Sequence, residues 1–421
     1  MPSPTSIAFG FCVGWSSKSL RRNPFAVLII LLLVPCILLV TRFSDVYHAS
    51  RSLSAQMFSK TLPAPVRPPQ SSPVLIVTAY FPLSKSKHSL YQYNTWLTNF
   101  LGRITTDVYM FAPPEMEHSL RAIRGDLPLH LNTSFNSIDQ VPVIAPLLLQ
   151  FDAQLSLDAD AWKHVPDLYK IWTAKPWFMR EAIANVRLDG HSVSGQVAPY
   201  EYVFWVDAGS MRESHGYSDW PSIDRVERVW RDAEALTGRS KDDLVFIPME
   251  HAPDVEFVRW TEADGPVRSS GDFSEGSLFG GTPKAMEWWH DVYYAYFNHY
   301  LSMGKFVGND QLLMNALFFL YSDRFITVWN RDPQSAFDAG MSAWFGGLGY
   351  CGDPWFSYEF FLASDAEREK MNAIWGKHLH WDFWRERARC VPERLLSIKD
   401  VLQRTFGPNW TPPSPSLSLP P

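Results

Sequence analysis

YVFWVDAGS, residues Tyr202–Ser210, is the stretch from which the fold reads. Five apolar residues in a row suit a strand buried on both faces, and such strands belong to parallel sheets covered by helices. Asp207 follows as the strand emerges, and Ala208 and Gly209 leave room beside it. A carboxylate there can start a turn, or it can meet a hard cation bridging a diphosphate.

The same alternation continues to either side. Val74–Phe81 is an apolar run bounded by prolines and reads as a first strand. Leu90–Leu101 reads as a helix and Asp107–Ala112 as a second strand. Asp167–Val186 is helix-like apart from Pro176, and Leu244–Pro248 and Phe325–Trp329 read as later strands. Thr282 can cap a helix with Pro283 at its first position, and Asn309 or Asp310 can cap the next. Strands alternating with helices predict an α/β, Rossmann-like domain with a mixed, mostly parallel sheet flanked by helices. Ligands of such sheets bind at the carboxyl ends of the strands.

Several polar groups fall at those ends. Residues 271–283, GDFSEGSLFGGTP, precede a helix. Gly280 and Gly281 permit close approach of a substrate, or of the helix itself, and Glu275 adds a carboxyl. Asp310 and Gln311 would project from a first helical turn, where an Asp also serves simply as a cap. His378 and His380 share one face if extended, and either both lie exposed or they ligate a metal. Cys351 and Cys390 are the two cysteines of the globular part, and they read equally as one disulfide or as two buried thiols.

The ends of the chain read differently. Phe25–Val40 is unbroken by charge and covers about 24 Å as a helix, close to a hydrocarbon core. Lys18, Arg21 and Arg22 precede it, which orients residues 1–24 to the cytosol. The reading is an uncleaved signal anchor at residues 25–41 in a type II, single-pass protein. A Ser/Pro-rich stem follows at 42–73, a lumenal domain at 74–400 and a Pro/Ser-rich tail at 401–421. Asn132 and Asn409 head N-x-S/T sequons on the lumenal side. Of the 421 residues, 46% are hydrophobic, which is a globular composition. Without the three leading cations, 35 basic residues face 44 acidic ones, so a nucleic-acid partner is excluded.

The ordered set VTAYF (77–81), WTAKPWF (172–178), VFWVDAGS (203–210), SLFGG (277–281) and NDQLLMN (309–315) resembles the HtrL/YibB-like protein family. That family is itself similar to GT-A glycosyltransferases, and the resemblance covers Val74–Trp329. It implies a GT-A-like fold and transfer of a sugar from a nucleotide-sugar donor to a glycan or glycoconjugate. Asp207 would then meet the donor or its Mn²⁺ or Mg²⁺, and Gly209, Lys175 and Arg212 would lie at the donor, the two cations near its diphosphate. Gly280, Gly281 and Glu275 would line the sugar or acceptor pocket. Asp310 would orient the donor sugar, and Gln311 would sit near its anomeric carbon. The usual Asp-x-Asp is Asp-x-Gly here, so Glu213, His378 or His380 would have to complete a metal site, or Lys175 or Arg212 replace the metal. With the anchor, the resemblance implies a Golgi or endoplasmic reticulum membrane. A non-catalytic lumenal protein that binds glycans or nucleotide sugars, and a glycoside hydrolase with paired carboxyls, are the rival classes.

Overall fold

Eight strands form one sheet: β1 Val74–Ala79, β2 Asp107–Phe111, β3 Leu129–Asn132, β4 Tyr202–Val206, β5 Val245–Phe246, β6 Leu278–Gly281, β7 Phe325–Val328 and β8 Leu395–Ser397. Their order is β3-β2-β1-β4-β6-β5-β7-β8. The computed structural model describes residues 73–83, 85–189, 200–335, 349–377 and 389–418. The expected membrane segment 25–41 and His378 and His380 lie outside these. Among the described residues no helix is long and apolar enough to cross a membrane.

The sheet is mixed. β1 runs parallel to β2 and β4, β2 to β3, and β5 to β7. β6 is antiparallel to both neighbours, and β8 is antiparallel to β7. The main helices are α1 Leu90–Leu101, α2 Glu117–Arg124, α3 Pro166–Asp189, α4 Ile223–Thr237, α5 Pro283–Ser302, α6 Asp310–Leu320, α7 Asp365–Gly376 and α8 Ile398–Phe406. Every residue of β1 and β4 is buried, because the sheet is covered on both faces. Leu75, Val77, Val203 and Trp205 pack with α3, α5 and α6. Val74, Ile76, Tyr202 and Phe204 pack with α1, α4 and α7.

Three expectations are corrected. The glycines of SLFGG are expected to line the sugar or acceptor pocket, but LFGG is β6, at the centre of the sheet. Gly280 pairs with Phe204 and Phe246, and a Cβ on it would stand 2.3 Å from the Phe204 ring. One on Gly281 would meet the Leu244 carbonyl oxygen at 3.0 Å. These glycines serve strand packing and do not line a pocket. The tail, too, is docked: α8 crosses the expected boundary at 400/401 because Val401 and Leu402 are buried. Beyond it, Trp410 and Leu417 pack on the core, and Ser416 donates from N and Oγ to Glu262. Third, α3 continues through Pro176 without ending.

Cys351 and Cys390 form a disulfide. Asn409 is exposed, whereas the Asn132 amide is half-buried, 3.4 Å from the Tyr109 hydroxyl.

Gly280→Ala should destabilise the protein by about 1–3 kcal/mol through overpacking against Phe204. Gly376→Ala has open space around its Cβ and should lie within about 0.5 kcal/mol of wild type. Thermal melts of the two variants check the contrast.

Candidate functional site

From β1 the chain runs outward to β2 and β3, then returns to place β4 on the other side of β1. The loops leaving the carboxyl ends of β1 and β4 therefore diverge and open a crevice between them. A cleft of about 490 Å³ lies there. Its walls include Tyr80, Tyr93, Trp96, Trp172 and Phe356. Tyr93 is 5.1 Å from Trp96 and 5.5 Å from Tyr80, ring centre to ring centre. The Arg212 guanidinium lies 4.7 Å from the Trp96 ring and 4.8 Å from that of Phe356. His88 meets Trp96 edge-on at 4.8 Å. Burial, with Arg212 and Lys87 nearby, holds His88 below its ordinary pKa, so it is neutral at pH 7.

The floor carries Lys175, Asp207, Gly209 and Ser277. Asp207 is the one acid among the lining residues, and 35% of its side chain stays exposed. Trp205 Nε1 donates to its Oδ1 at 2.7 Å. The Lys175 ammonium is buried and lies 3.2 Å from the same Oδ1. It also lies 2.9 Å from Asp310 Oδ2, as an ion pair, and donates to the Gly276 carbonyl oxygen at 2.8 Å. Burial pulls the Lys175 pKa down, but Asp207 and Asp310 outweigh it and the net shift is upward. Burial raises Asp310, and its share of one ammonium offsets only part of that.

Glu275 is 1% exposed and lies outside the cleft lining. Ser277 N donates to its Oε1 at 2.9 Å, and Ser277 Oγ is 2.7 Å from its Oε2. Burial pushes Glu275 well above the carboxylate range. Asp207 adds to the rise, while the Ser277 hydrogen bonds and Lys175 oppose it.

The structure thus gathers Lys175, Asp207, Glu275, Asp310 and Gln311, and places Gly209 and Arg212 on the cleft. It corrects several roles. Lys175 pairs with Asp207 and Asp310 and donates to the Gly276 carbonyl oxygen, so in this structure it braces two carboxylates. Asp310 is buried off the cleft, and the Gln311 amide donates to the Ser274 carbonyl, so neither faces a donor sugar. Two residues of the site carry no mark that sequence reasoning could use. Ser277 is a serine in a glycine-rich stretch with no local sign of function. Tyr358, 81 residues further on, meets it only in the fold.

A divalent cation fits this floor poorly. Asp207 offers one carboxylate already bound to an ammonium and an indole N–H. A Cβ at Gly209 would stand 3.2 Å from Trp96, so a second acid there would need the indole to shift. Glu213 lines a separate small cavity. Among the described residues no three His, Cys, Asp or Glu side chains converge to hold a metal.

No protein-family profile matches the chain, and no curated protein sequence matches it. The HtrL/YibB-like resemblance therefore rests on its motifs alone. Two solved glycosyltransferase structures are similar. Mouse xyloside xylosyltransferase 1, apo form, is 9% identical, covers 69% of this chain and 94% of its own, and has a TM-score of 0.32. Core-mannan synthase A (CmsA/Ktr4) from Aspergillus fumigatus, in its Mn/GDP form, is 11% identical, with 71% and 89% covered and a TM-score of 0.34. Likenesses this distant carry no argument about the residues of the cleft.

Lys175→Met should cost about 3–5 kcal/mol in denaturant melts, because it strands two carboxylates around a buried site. Adding Asp310→Asn should recover part of that. Native Glu275 holds a proton that the unfolded chain releases above its ordinary pKa of about 4.3. Its contribution to stability is therefore full below that pH and is lost as pH rises toward the folded pKa. Glu275→Gln should flatten this part of the stability–pH profile.

Proposed function

We propose that the cleft binds a nucleotide sugar and that the chain is a glycosyltransferase acting on a glycan or glycoconjugate hydroxyl. The observation that supports this most is the place and lining of the cleft. It sits at the switch point of an α/β sheet, with aromatic walls, a stacked guanidinium and a fixed carboxylate on its floor. The rings of Tyr80, Tyr93 and Trp96 suit the flat face of a base. Arg212 suits the diphosphate, and would stabilise the charge it gains as the bond to the anomeric carbon breaks. Asp207 accepts from ligand hydroxyls. In this reading Asp310 acts at one remove, by holding Lys175 and so Asp207. With the anchor at 25–41, the domain would face the lumen of the Golgi or endoplasmic reticulum. The disulfide and the Asn132 and Asn409 sequons agree with an oxidising lumen.

One observation favours a second reading, a lumenal protein that binds the same ligand without turnover. Asp207 is the sole acid among the described residues lining the cleft, and it is tied to Lys175. A glycoside hydrolase would need two carboxyls facing the substrate, and Glu275 and Asp310 are both buried away from the cleft.

The test is a thermal-shift series on the full-length chain in detergent, against uridine, guanosine and cytidine nucleotide sugars, with and without EDTA. One base family should stabilise wild type, and EDTA should leave the shift in place. Arg212→Ala should weaken binding about tenfold, the loss of a charge-assisted contact, and Asp207→Asn should weaken it too. Stabilisation by no nucleotide would overturn the donor site. Binding without sugar release or transfer would select the second reading.

A further inference from the structure

Beside the cleft runs a row of polar groups that the nucleotide-sugar reading does not use. Ser277 Oγ is 2.7 Å from Glu275 Oε2 and 2.7 Å from the Tyr358 hydroxyl, and that hydroxyl is 3.1 Å from Ser210 Oγ. Tyr358 is fully buried, and Glu275 and Ser210 are each 1% exposed. Ser277 alone of the four lines the cleft. We propose that this chain of groups is a recognition device, which holds Ser277 Oγ as an obligate hydrogen-bond acceptor for a sugar-ring hydroxyl of the ligand.

The row holds a limited number of protons. Each hydroxyl has one. If Ser277 donated to Glu275 while Tyr358 donated to Ser210, the 2.7 Å contact between Ser277 and Tyr358 would have no proton. The protons therefore run one way along the row, either from Glu275 to Ser210 or from Ser210 to Glu275. In both cases the Ser277 proton is spent inside the row and one lone pair is occupied. What remains for the cleft is the other lone pair, which can only accept.

The surroundings select the first direction. The Lys175 ammonium is taken up by its pairs with Asp207 and Asp310 and by the Gly276 carbonyl oxygen, while the hydrogen bonds of Glu275 go to Ser277. A neutral Glu275 fits Ser277 at both ends, its O–H toward Oγ and its C=O accepting the Ser277 N–H. Asp207 supplies a second acceptor beside the first. The β4–β6 register pairs Val206 with Leu278, and Asp207 N donates to the Ser277 carbonyl oxygen at 2.9 Å. Residues opposed in this way project to the same face about 5 Å apart. Two neighbouring acceptors match two neighbouring hydroxyls on a sugar ring, and they disfavour a phosphate. The diol belongs either to the ribose or to the transferred sugar.

The inference rests on the nucleotide-sugar reading, so the experiment has two arms, both on the full-length chain in detergent. The first is infrared. A wild-type minus Glu275→Gln difference spectrum at neutral pH should show a carboxylic-acid C=O band, and Tyr358→Phe should shift it. A missing band overturns the neutral Glu275 and the direction assigned from it, and an unmoved band overturns the hydrogen-bonded row. The second is calorimetry with UDP, GDP, UDP-glucose and GDP-mannose. Ser277→Ala and Tyr358→Phe, each checked for a cooperative melt, should weaken the bound nucleotide sugar about fivefold, the effect of one neutral hydrogen bond. Weakening of the sugar nucleotide alone puts the hydroxyl on the transferred sugar, and equal weakening of the free diphosphate puts it on the ribose. Unchanged affinity overturns Ser277 as a contact. If wild type binds none of the four, the nucleotide reading falls and the ligand half of this proposal with it, while the infrared band still decides the row.

Discussion

A single buried ammonium holds this site together. Lys175 comes from the middle of α3, Asp207 from the end of β4, Asp310 from the first turn of α6, and the Gly276 carbonyl from the approach to β6. Four segments distant in sequence meet at one nitrogen. An isolated charge in such a place is costly, and removal of any one partner leaves the others uncompensated. The arrangement accounts for an otherwise odd feature of α6. Asn309 accepts from the backbone N–H groups of Gln311 and Leu312 and caps the helix, while Asp310 shares the Gln311 N–H through Oδ1 and turns Oδ2 to Lys175 as a buried counter-ion. It also explains how Asp207 can be partly open to the cleft and yet fixed, since the indole of Trp205 and the ammonium grip it from within.

The sheet puts those segments within reach of one another. β6 enters antiparallel between β4 and β5, and in doing so lays residues 274–277 along the end of β4. That insertion demands a residue without a side chain where the strand crosses the Phe204 ring, and Gly280 meets the demand. The glycines that read as marks of a pocket thus act one layer beneath it. They let β6 sit close enough to β4 for Ser277 to face Asp207.

What could be read from the residues alone was whatever depends on a local run. The strands at β1, β2, β4 and β7 showed as apolar stretches, and α5 as Thr-Pro before a periodic segment. Asp207 stood out because it ends such a run. β6 did not show, because Gly-Gly argues for a turn unless a neighbouring aromatic ring is known to need the space. α8 was split at 400/401 because the prolines after 408 gave the whole terminus the look of a linker. Gln311 and Lys175 were legible as residues but not in role. Neither the Ser274 carbonyl that claims the first nor the pair of carboxylates that claims the second lies nearby in sequence. Tyr358 carried no signal at all, since its partners Ser210 and Ser277 come from other parts of the chain.

The departure from Asp-x-Asp then has a physical basis. Trp96 lies close to Gly209, so a side chain at that position would crowd the indole. The same indole stacks on Arg212, whose Nε donates to the Gly209 carbonyl oxygen at 3.2 Å. Positive charge stands beside Trp96 of α1, carried by a side chain held between two rings. In the same cleft, Asp207 and Ser277 present only acceptors. A ligand with an anionic linkage at one end and hydroxyls at the other would be oriented by this polarity before any closer fit is made. That separation of donors from acceptors follows from where Trp96, Lys175 and Tyr358 sit, and the Asp-Ala-Gly turn alone does not specify it.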